Sequence, residues 1–423
     1  MSRVLLLLPT TTWRAEAFLT AARRLGLDVT VATDRALVWT AREPGRVMAL
    51  DFEHPEAAAE RVADFARATQ LCAVVGVDDD TAVLAATLAR RLGLPHNPVP
   101  AVEAARDKLR QREVLRQAGL PVPRFTACRL DEDPTAVGAR VGFPCVLKPL
   151  RLAGSRGVMR ADDAPALGAS MRRLAALLAS PAVGACGAWA ETALAEAFLP
   201  GREVALEGLV EDGALRVLAL FDKPDPLDGP FFEESIYVTP SRLPRETQAA
   251  LTDCVARAVR ALGIERGPVH AELRIDGQVP WVIEVAARPI GGLCSRALRF
   301  GDDVSLEELI LRQAVGLETA ALAREARSAG VMMIPIPGAG VLERVEGVDE
   351  AAGVPGIEQV AITAHPGERL VPFPEGSRYP GFLFARGETP ETVERALREA
   401  HRRLRFVLAD AVAARAGTPA APR

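Results

Sequence analysis

Short apolar runs alternate with amphipathic stretches over the first hundred residues of the chain. The apolar runs are typical of buried strands and predict strands at 4–8, 28–32, 47–50 and 71–77. The stretches with one apolar face are typical of helices and predict helices at 14–25, 55–68 and 81–92. Strands that alternate with helices indicate a parallel sheet covered by helices on both faces. The first strand is followed by Pro-Thr-Thr-Thr and not by Gly-x-Gly-x-x-Gly, so a dinucleotide-binding fold is not predicted.

A stretch rich in Pro and Asn at 94–101 interrupts this alternation and predicts a domain boundary. Beyond it the pattern predicts a helix at 101–118, a strand at 143–148 and a helix that ends near residue 180. Asp-Gly pairs at 212–213 and 276–277 separate apolar runs, which is a strong local signal for a β-hairpin. The middle of the chain is therefore predicted to mix helices with antiparallel strands.

Strands and proline turns resume near residue 330, and a final amphipathic helix is predicted at 389–408. Residues 417–423 are rich in Pro and Ala and are expected to fray. We expect an α/β protein with a parallel-sheet domain at 1–100, an α+β domain with two subdomains at 101–330 and a small α+β domain at 331–423.

Composition excludes several classes of protein. A net charge of −4 over 423 residues does not indicate a protein that binds nucleic acid or a membrane surface. The apolar run at 4–8 is shorter than the roughly 7–15 residues of a signal-peptide core, and no stretch reaches the roughly 18–20 apolar residues of a membrane span. We therefore expect a cytoplasmic protein. The 6 cysteines and 5 histidines are scattered, which indicates neither a disulfide framework nor a metal site built on these residues.

Only three of the 51 basic side chains are lysine, namely Lys108, Lys148 and Lys223. The lysine ammonium is a compact point charge, whereas the arginine guanidinium is a planar fork, so a crowded polyphosphate favours lysine. Lys108 lies in the predicted helix after the domain boundary, and Lys148 ends a predicted buried strand. Lysines at these two positions would be suitable for contact with a bound nucleotide. Lys223 is a weaker candidate for contact with a phosphate or a carboxylate. The alternative is that all three are surface lysines without a role.

Two glutamates, Glu272 and Glu284, lie inside apolar strands of one predicted hairpin. Burial of a carboxylate is costly unless it is paired or binds a metal, and these positions are expected to lie opposite each other on one face. Hard oxygen ligands favour Mg²⁺ or Mn²⁺. The alternative is two salt bridges, to Arg274 and Arg288.

Arg288 follows Glu284 by four residues, which places both on the same face of a strand. Its guanidinium is a candidate clamp for a carboxylate or a phosphoryl group. Gly291 and Gly292 would let backbone amides approach such a ligand closely. A surface salt bridge is the alternative interpretation.

The strand that ends at Lys148 runs into a loop containing Gly154, Ser155 and Gly157. Small residues let successive N–H groups face phosphate oxygens, although a plain turn would have a similar sequence. Farther along the chain, Glu196 lies two residues before the aromatic residue Phe198.

Four acids lie near this aromatic segment or shortly after it. Glu196 and Glu203 are candidates for contacts with a purine edge and with ribose hydroxyls, or else they belong to an exposed acidic loop. Glu233 and Glu234 are candidates for binding the amino group of an amino acid, or else they belong to an exposed acidic turn.

Taken in order, these segments resemble the ATP-grasp superfamily over roughly residues 1–330. The matching segments are DKLRQRE at 107–113, FPCVLK at 143–148, the small-residue loop, the hinge before the ribose acid, and the late hairpin with its following arginine. The resemblance implies ATP and Mg²⁺ (or Mn²⁺) as cofactors. It assigns phosphate contacts to Lys108 and Lys148, adenine contacts to Glu196 and the backbone of Phe198 and Leu199, a ribose contact to Glu203, metal ligation to Glu272 and Glu284, and contact with the acyl intermediate to Arg288.

The stretch EVAARPIGG at 284–292 is similar to that of L-amino-acid ligases and carnosine-synthase-like members. This branch implies a carboxylate–amine ligase that joins two small molecules through an acyl phosphate and converts ATP to ADP and phosphate. Ala286 stands where many members carry an asparagine ligand, so one metal ligand is expected to be missing. The oligomeric state stays open, with a homodimer as the candidate assembly.

Two alternatives keep the nucleotide site but change the function. The first is an ATP-grasp ligase that activates formate or bicarbonate. The second is a catalytically degenerate nucleotide-binding protein, for which Ala286 is the argument. The residues after Arg288, at 289–293, argue against the first alternative, and retention of the lysines and of both hairpin acids argues against the second.

Overall fold

The computed structural model describes residues 2–36, 45–181, 183 and 187–409. The chain divides into two compact units. The first contains Met1–Val122, Val204–Leu220 and Leu243–Ala326, and the second contains Pro123–Glu203, Phe221–Arg242 and Arg327–Arg423. The predicted boundaries of the three domains stay predictions, and the tail expected to fray at 417–423 lies outside the described residues.

The first unit begins with strands that alternate with helices. Its elements are β1 (Arg3–Leu7), α1 (Ala15–Arg24), β2 (Asp28–Thr33), β3 (Val47–Ala49), α2 (Pro55–Ala66), β4 (Ala73–Gly76) and α3 (Asp79–Arg91). The strands are parallel in the order β3-β2-β1-β4, which confirms the predicted alternation. Leu5 and Leu7 belong to one core cluster with residues of α2 and α3. Val4 and Leu6 point to the other face and are also fully buried, as expected for a sheet covered on both faces.

The helix predicted at 101–118 is two helices, α4 (Val99–Arg106) and α5 (Lys108–Gln117). Asp107 between them has an extended backbone, and its carboxylate accepts hydrogen bonds from two N–H groups in the first turn of α5. These N–H groups have no partner within the helix, so an aspartate at this position favours a new helix start. The single-helix prediction was therefore wrong, and Lys108 is the first residue of α5.

The next chain segment belongs to the second unit and forms an antiparallel sheet. Its elements are β5 (Phe125–Arg129), α6 (Pro134–Val141), β6 (Cys145–Pro149), β7 (Met159–Ala161), α7 (Ala164–Leu178) and β8 (Thr192–Ala197). The strand order is β5-β8-β6-β7. Leu147 of β6 and Ala195 of β8 share a core cluster with residues of α6 and α7. Asp163 caps α7, because its side chain accepts a hydrogen bond from the N–H of Ala166.

Both predicted hairpins are present in the following segment. Its elements are β9 (Arg202–Glu211), β10 (Ala214–Asp222), β11 (Ile236–Thr239), α8 (Arg245–Leu262), β12 (Gly267–Asp276), β13 (Val279–Ala286), β14 (Arg299–Phe300), β15 (Val304–Ser305) and α9 (Leu306–Ala314). The first unit contains the strand order β13-β12-β9-β10, and core residues of these strands cluster with those of α8. Asp212 and Gly213 have φ values of 48° and 75°, the left-handed conformation that a two-residue hairpin turn requires.

The C-terminal part of the second unit contains a second set of antiparallel strands. Its elements are β16 (Ser328–Met333), β17 (Gly340–Glu346), α10 (Val348–Ala352), β18 (Ile357–Ile362), β19 (Arg369–Leu370), β20 (Gly381–Gly387), α11 (Pro390–Arg403) and β21 (Arg405–Ala409). Strands β11-β16-β20-β18 follow one another in one sheet, and β19-β17-β21 form another. Val393 and Leu397 of α11 share a core cluster with residues of β11, β16 and β20.

The final helix is shorter than the helix predicted at 389–408. α11 ends at Arg403, and β21 follows after one residue. Phe406 pairs with Val345 and Leu408 with Leu342 in an antiparallel ladder with β17. The partner strand therefore overrides the local helical pattern, because a ladder can satisfy the backbone of this apolar segment as well as a helix can.

We predict that Gly347→Ala destabilises the protein. Gly347 precedes α10 with φ 80°, and a Cβ atom at this position would lie 1.9 Å from the carbonyl oxygen of Arg403. The left-handed backbone and the clash together are expected to lower the free energy of unfolding by roughly 2 kcal/mol or more. The measurement is the midpoint of urea unfolding.

Gly353→Ala at the other end of α10 is the matched control. Gly353 has φ −75°, and the nearest atom to an added Cβ would be 3.5 Å away. Such a substitution is expected to be neutral or to stabilise by about 0.5 kcal/mol. Equal midpoints for the two variants would contradict the prediction.

We further predict that Asp78→Asn stabilises the protein only at neutral and higher pH. Burial, followed by the nearby charges of Asp80 and Asp79, raises the pKa of Asp78, the residue that caps α3, from 3.8 to about 6. A raised carboxyl pKa means that ionisation costs folding free energy: the cost is absent below about pH 4 and complete above about pH 6. Asparagine keeps the cap without the charge.

The expected gain in unfolding free energy for Asp78→Asn is roughly 2 kcal/mol above pH 7. It should shrink toward zero as the pH falls from about 6 to about 4. Unfolding midpoints measured across this range test the prediction, and a difference between variant and wild type that does not change with pH would contradict it.

Candidate active site

The hairpin of β12 and β13 carries the two acids predicted to bind a metal. In its antiparallel register Glu272 pairs directly with Glu284, which confirms that they lie opposite each other. The register shifts immediately after Glu272, where the ladder contains a bulge or irregularity. Both side chains are only partly exposed. Two partly buried carboxylates on one face of a hairpin repel each other and need positive charge nearby.

Lys108 supplies part of this positive charge. Its Nζ lies 3.1 Å from Oε1 of Glu284. The break at Asp107 makes this lysine the first residue of α5, where its side chain reaches the hairpin of the same unit. From the sequence, the lysine was expected to contact phosphate and the glutamate to bind a metal. The structure brings these two residues together within the first unit.

Arg288 pairs with an acid that sequence analysis did not single out. Its Nε donates to Oδ2 of Asp79 at 2.8 Å, and its Nη1 donates to the carbonyl oxygen of Pro289 at 3.0 Å. Burial opposes the charge of this guanidinium, but Asp79, Glu284 and Glu272 outweigh burial and raise the pKa of Arg288 above its usual range. Arg288 is therefore a permanent positive charge whose hydrogen-bonded acid is Asp79.

The loop after Arg288 is anchored by buried charged groups. Both carboxylate oxygens of Glu207, which is fully buried on β9, lie 3.1 Å from the backbone nitrogen of Ile290. Arg14 is also buried, and its Nη2 donates to the carbonyl oxygen of Pro289 at 3.2 Å. A Cβ atom added at Gly291 would meet no atom within 4 Å, so there is space for a ligand next to this loop.

Glu207 also contacts His270, which lies two residues before Glu272. Nδ1 of His270 is 3.1 Å from Oε2 of Glu207, and Nε2 of His270 is 3.6 Å from Oε1 of Glu272. Burial opposes protonation of this imidazole, but the hydrogen bonds to Glu207 and Glu272 outweigh burial and raise the pKa of His270. Sequence analysis missed Glu207, although it carries the signal that identified Glu272, namely an acid inside an apolar strand.

In the second unit, Lys148 forms an ion pair with Glu196. Their strands β6 and β8 are adjacent and antiparallel, with Lys148 opposite Leu194 and Val146 opposite Glu196. Both charged side chains are buried. A buried ion pair is costly to desolvate, so its presence indicates a functional role more readily than a stabilising one.

Lys223 in the same unit lies between two acids. Its Nζ is 2.8 Å from Oε1 of Glu203 and also forms a short ion pair with Glu234. The hydroxyl of Tyr237 donates to Glu234 at 2.7 Å. The lysine that sequence analysis rated lowest is thus buried between the candidate ribose acid and a candidate substrate acid.

Glu233, the other candidate for binding the amino group of an amino acid, is partly buried. Its Oε1 accepts a hydrogen bond from the N–H of Ile336 at 2.9 Å, and burial raises the pKa of Glu233. At the candidate adenine segment, the N–H of Phe198 donates to the carbonyl oxygen of Pro144. The guanidinium of Arg160 lies 4.4 Å from the centre of the Phe198 ring.

The candidate phosphate loop between β6 and β7 has left-handed backbone at three positions. Gly154, Ser155 and Gly157 have φ values of 61°, 55° and 74°. The N–H of Gly157 donates to the carbonyl oxygen of Pro374, and Nε of Arg156 donates to that of Glu375 at 2.9 Å. The C-terminal part of the unit therefore holds this loop.

The structure brings the predicted residues together within each unit. Lys108, Glu272, Glu284 and Arg288 lie near one another in the first unit, whereas Lys148 pairs with Glu196 and Lys223 pairs with Glu203 and Glu234 in the second. The further expectation that Lys148 and the two hairpin acids act on one nucleotide stays a prediction. None of the helices in the described ranges is both long enough and apolar enough to cross a membrane.

Three family models match successive parts of the chain. A model described as ATP-grasp N-terminal domain matches residues 19–96, and one described as ATP-grasp domain matches residues 141–297. A third, described as L-amino acid ligase C-terminal domain 2, matches residues 332–409. The matches appear in the same order as the segments that resembled this superfamily in the sequence.

Several ligases are similar to this chain. The crystal structure of an L-amino acid ligase from Bacillus licheniformis has a TM-score of 0.79 and 29% identity, with 97% of this chain and 99% of that chain covered. Alanine–anticapsin ligase of Bacillus subtilis is 27% identical over 57% of this chain, and the match spans 56% of that ligase. Carnosine synthase 1 of Gallus gallus is 31% identical over 67% of this chain, but the match spans only 32% of that synthase.

The order of the matched domains, the C-terminal ligase domain and the full-length structural similarity agree with one another. The chain belongs to the ATP-grasp superfamily, in its branch of ADP-forming carboxylate–amine ligases.

Proposed function

We propose that this protein joins the carboxylate of one amino acid to the amino group of another through an acyl phosphate. The observation that carries the proposal is the opposed pair Glu272 and Glu284. Lys108 forms an ion pair with Glu284, and both acids interact electrostatically with Arg288. Opposed carboxylates next to a fixed guanidinium are suited to hold a cation and a phosphorylated carboxylate together.

The donor set of this hairpin fits a divalent cation. Glu272 and Glu284 offer hard carboxylate oxygens on one face, and their mutual repulsion favours a cation between them. Ala286, which is buried on β13, offers no oxygen from its side chain. We propose that Glu272 and Glu284 hold Mg²⁺ or Mn²⁺, which when bound neutralises charge on the phosphates of ATP.

We propose that the second unit supplies the contacts to the nucleotide. Lys148 would turn from Glu196 toward a phosphate, and Glu196 would then accept from the adenine amino group. The N–H of Phe198 is already bonded to Pro144, so an adenine contact there would use the carbonyl oxygen or Leu199. In the left-handed loop between β6 and β7, the backbone N–H groups of Gly154 and Ser155 would face phosphate oxygens, because that of Gly157 is bonded to Pro374.

Lys223 would keep Glu203 in place for the ribose hydroxyls, because the two side chains already lie within hydrogen-bond distance. Glu234 is bonded to Lys223 and to Tyr237. This leaves Glu233, which accepts a hydrogen bond from the N–H of Ile336, as the better candidate for the amino group of a substrate. A raised pKa at Glu233 is compatible with that role, since an ammonium group nearby would restore its ionised form.

The reaction has two displacement steps. A carboxylate oxygen of the first amino acid attacks the γ-phosphorus of ATP, the bond to the β-phosphate oxygen breaks, and ADP leaves. The amino nitrogen of the second amino acid then attacks the acyl carbon, and inorganic phosphate leaves with the electron pair of the broken C–O bond. The attacking nitrogen loses its proton to solvent or to the departing phosphate.

Arg288 and the backbone amides of Gly291 and Gly292 would stabilise the oxyanion of the second step. Arg288 is held by Asp79, and its loop is anchored by Glu207, so the donors need not reorganise when negative charge develops. One such donor is worth roughly 3 kcal/mol in other enzymes. A cytoplasmic location and a homodimer remain predictions from the sequence and its relatives.

We predict that the purified protein releases phosphate only when ATP, a divalent cation, a carboxylate donor and an amine acceptor are all present. A matrix of amino acids assayed in pairs for phosphate release, with ADP identified by chromatography, tests this prediction. Release of AMP and pyrophosphate would contradict the acyl-phosphate scheme. Release of ADP with bicarbonate or formate alone would favour the alternative ligase, and ATP binding without turnover would favour a degenerate protein.

We also predict that Glu284→Ala and Lys148→Ala each lower the turnover rate at least 100-fold, because both remove groups that balance charge on the phosphates. Glu343→Ala is the matched control, since Glu343 is half-exposed on β17 and its acid pairs only weakly with Arg344 at 3.6 Å. Circular dichroism and unfolding midpoints separate loss of function from loss of fold. Turnover within twofold of wild type in either variant would contradict the proposed roles.

A further inference from the structure

Three side chains of the first unit, Glu207, His270 and Glu272, form a continuous chain of contacts in which the proposed mechanism gives His270 no role. Glu207, fully buried on β9, contacts Nδ1 of His270 at 3.1 Å. On the other side of the ring, Nε2 lies 3.6 Å from Oε1 of Glu272. The chain of contacts therefore runs from a buried carboxylate, through an imidazole, to one of the two acids of the candidate metal site.

The contact with Glu207 determines which way the imidazole can act. An ionised carboxylate only accepts hydrogen bonds, so Nδ1 of His270 carries the hydrogen in this pair. Nε2 faces Glu272, and a cation that displaced the hydrogen from Nε2 would meet the nitrogen lone pair on that side of the ring. A histidine held at one nitrogen by a carboxylate and offering the other nitrogen is the usual arrangement of a metal-ligating histidine.

The strand register places a small side chain opposite His270. His270 on β12 pairs with Ala286 on β13, and both residues are buried. Directly opposed residues share a face, so Ala286 lies beside the imidazole with a single methyl group. The pair Glu272 and Glu284 lies two residues along each strand from the pair His270 and Ala286, and therefore on the same face of the hairpin.

We propose that Nε2 of His270 is a ligand of the divalent cation held by Glu272. The inference rests on the proposed function, because it assumes the cation at the hairpin acids. The 3.6 Å between Nε2 and the Glu272 oxygen is close to the spacing of two ligand atoms on one ion. Glu207 is then a positioning residue that orients the ring.

A nitrogen ligand has a consequence for the choice of metal. Mg²⁺ takes oxygen ligands almost exclusively, whereas Mn²⁺ and later transition metals accept an imidazole nitrogen readily. The first unit would therefore bind Mn²⁺ more tightly than Mg²⁺. The two acids alone would not produce this preference, because carboxylates suit both ions.

The experiment uses the full chain with Mn²⁺ and ADP and records electron spin-echo modulation from nitrogen. One sample carries ¹⁵N-labelled histidine and the other is unlabelled, which separates histidine nitrogen from the adenine nitrogens of ADP. We expect a modulation that changes with the histidine label. Mn²⁺ bound without any change on labelling would overturn the proposal.

Variants assign the nitrogen to one histidine. His270→Asn keeps a donor toward Glu207 but removes Nε2, so the label-dependent modulation should disappear and the affinity for Mn²⁺ should fall about tenfold or more. His270→Gln places an amide oxygen near the position of Nε2 and should reduce the preference for Mn²⁺ over Mg²⁺. His365→Asn, at an exposed histidine, is the control and should change neither the modulation nor the affinity.

Glu207→Gln tests the positioning role. It should weaken Mn²⁺ binding by about 10- to 100-fold while the label-dependent modulation remains in the fraction that binds. If His270→Asn reduced turnover but left the affinity for Mn²⁺ unchanged, the proposal that His270 binds the cation would be overturned. His270 would then have a role only in orienting Glu272. The spectrum of the wild-type protein decides the question even if a variant fails to fold.

Metal binding is read without turnover, so this inference and the proposed function can fail separately. Label-dependent modulation without amide-bond formation on any pair of amino acids would uphold the histidine ligand and contradict the reaction. Amide-bond formation without label-dependent modulation would support the reaction and contradict the histidine ligand.

Discussion

A charge inside a buried strand is stable only when an opposite charge or a set of hydrogen bonds balances it, and this requirement governs the candidate site. Glu207, which is fully buried, is satisfied by His270 and by the backbone of Ile290. Arg288 is balanced by Asp79 across the first unit. These pairs place rigid charged groups around the loop at Gly291, where a Cβ atom would meet nothing within 4 Å.

The three lysines follow the same rule. Each forms an ion pair with an acid that sequence analysis had singled out independently: Lys108 with Glu284, Lys148 with Glu196, and Lys223 with Glu203 and Glu234. Ion pairs this poorly exposed to water add little stability, because desolvation offsets most of the attraction. Buried charges of this kind are more readily explained by a functional role, and we propose that the lysines exchange their partners when a ligand binds.

Local sequence was sufficient for elements whose signal comes from a few adjacent residues. The Asp-Gly pairs at 212–213 and 276–277 predicted both hairpins, and Asp212, Gly213 and Gly277 have the left-handed backbone that a tight turn needs. Local sequence did not predict the correct secondary structure where a distant part of the chain determines it. Residues 405–409 have a pattern compatible with a helix but pair with β17, and Asp107 divides a helix that the apolar pattern had extended across it.

The sequence by itself determined the order of the elements and the identity of the acids and lysines that suit a nucleotide and a cation. The opposition of Glu272 and Glu284 depends on the shift in strand register after Glu272, because the register at the turn would by itself place Ile283 opposite Glu272. Only the tertiary structure decided the partners of these charges. Asp79 reaches Arg288 and Glu207 reaches His270 across more than sixty positions of the chain, because each pair lies on elements that packing alone brings together. A charge's environment depends on such distant neighbours, and no local pattern encodes them.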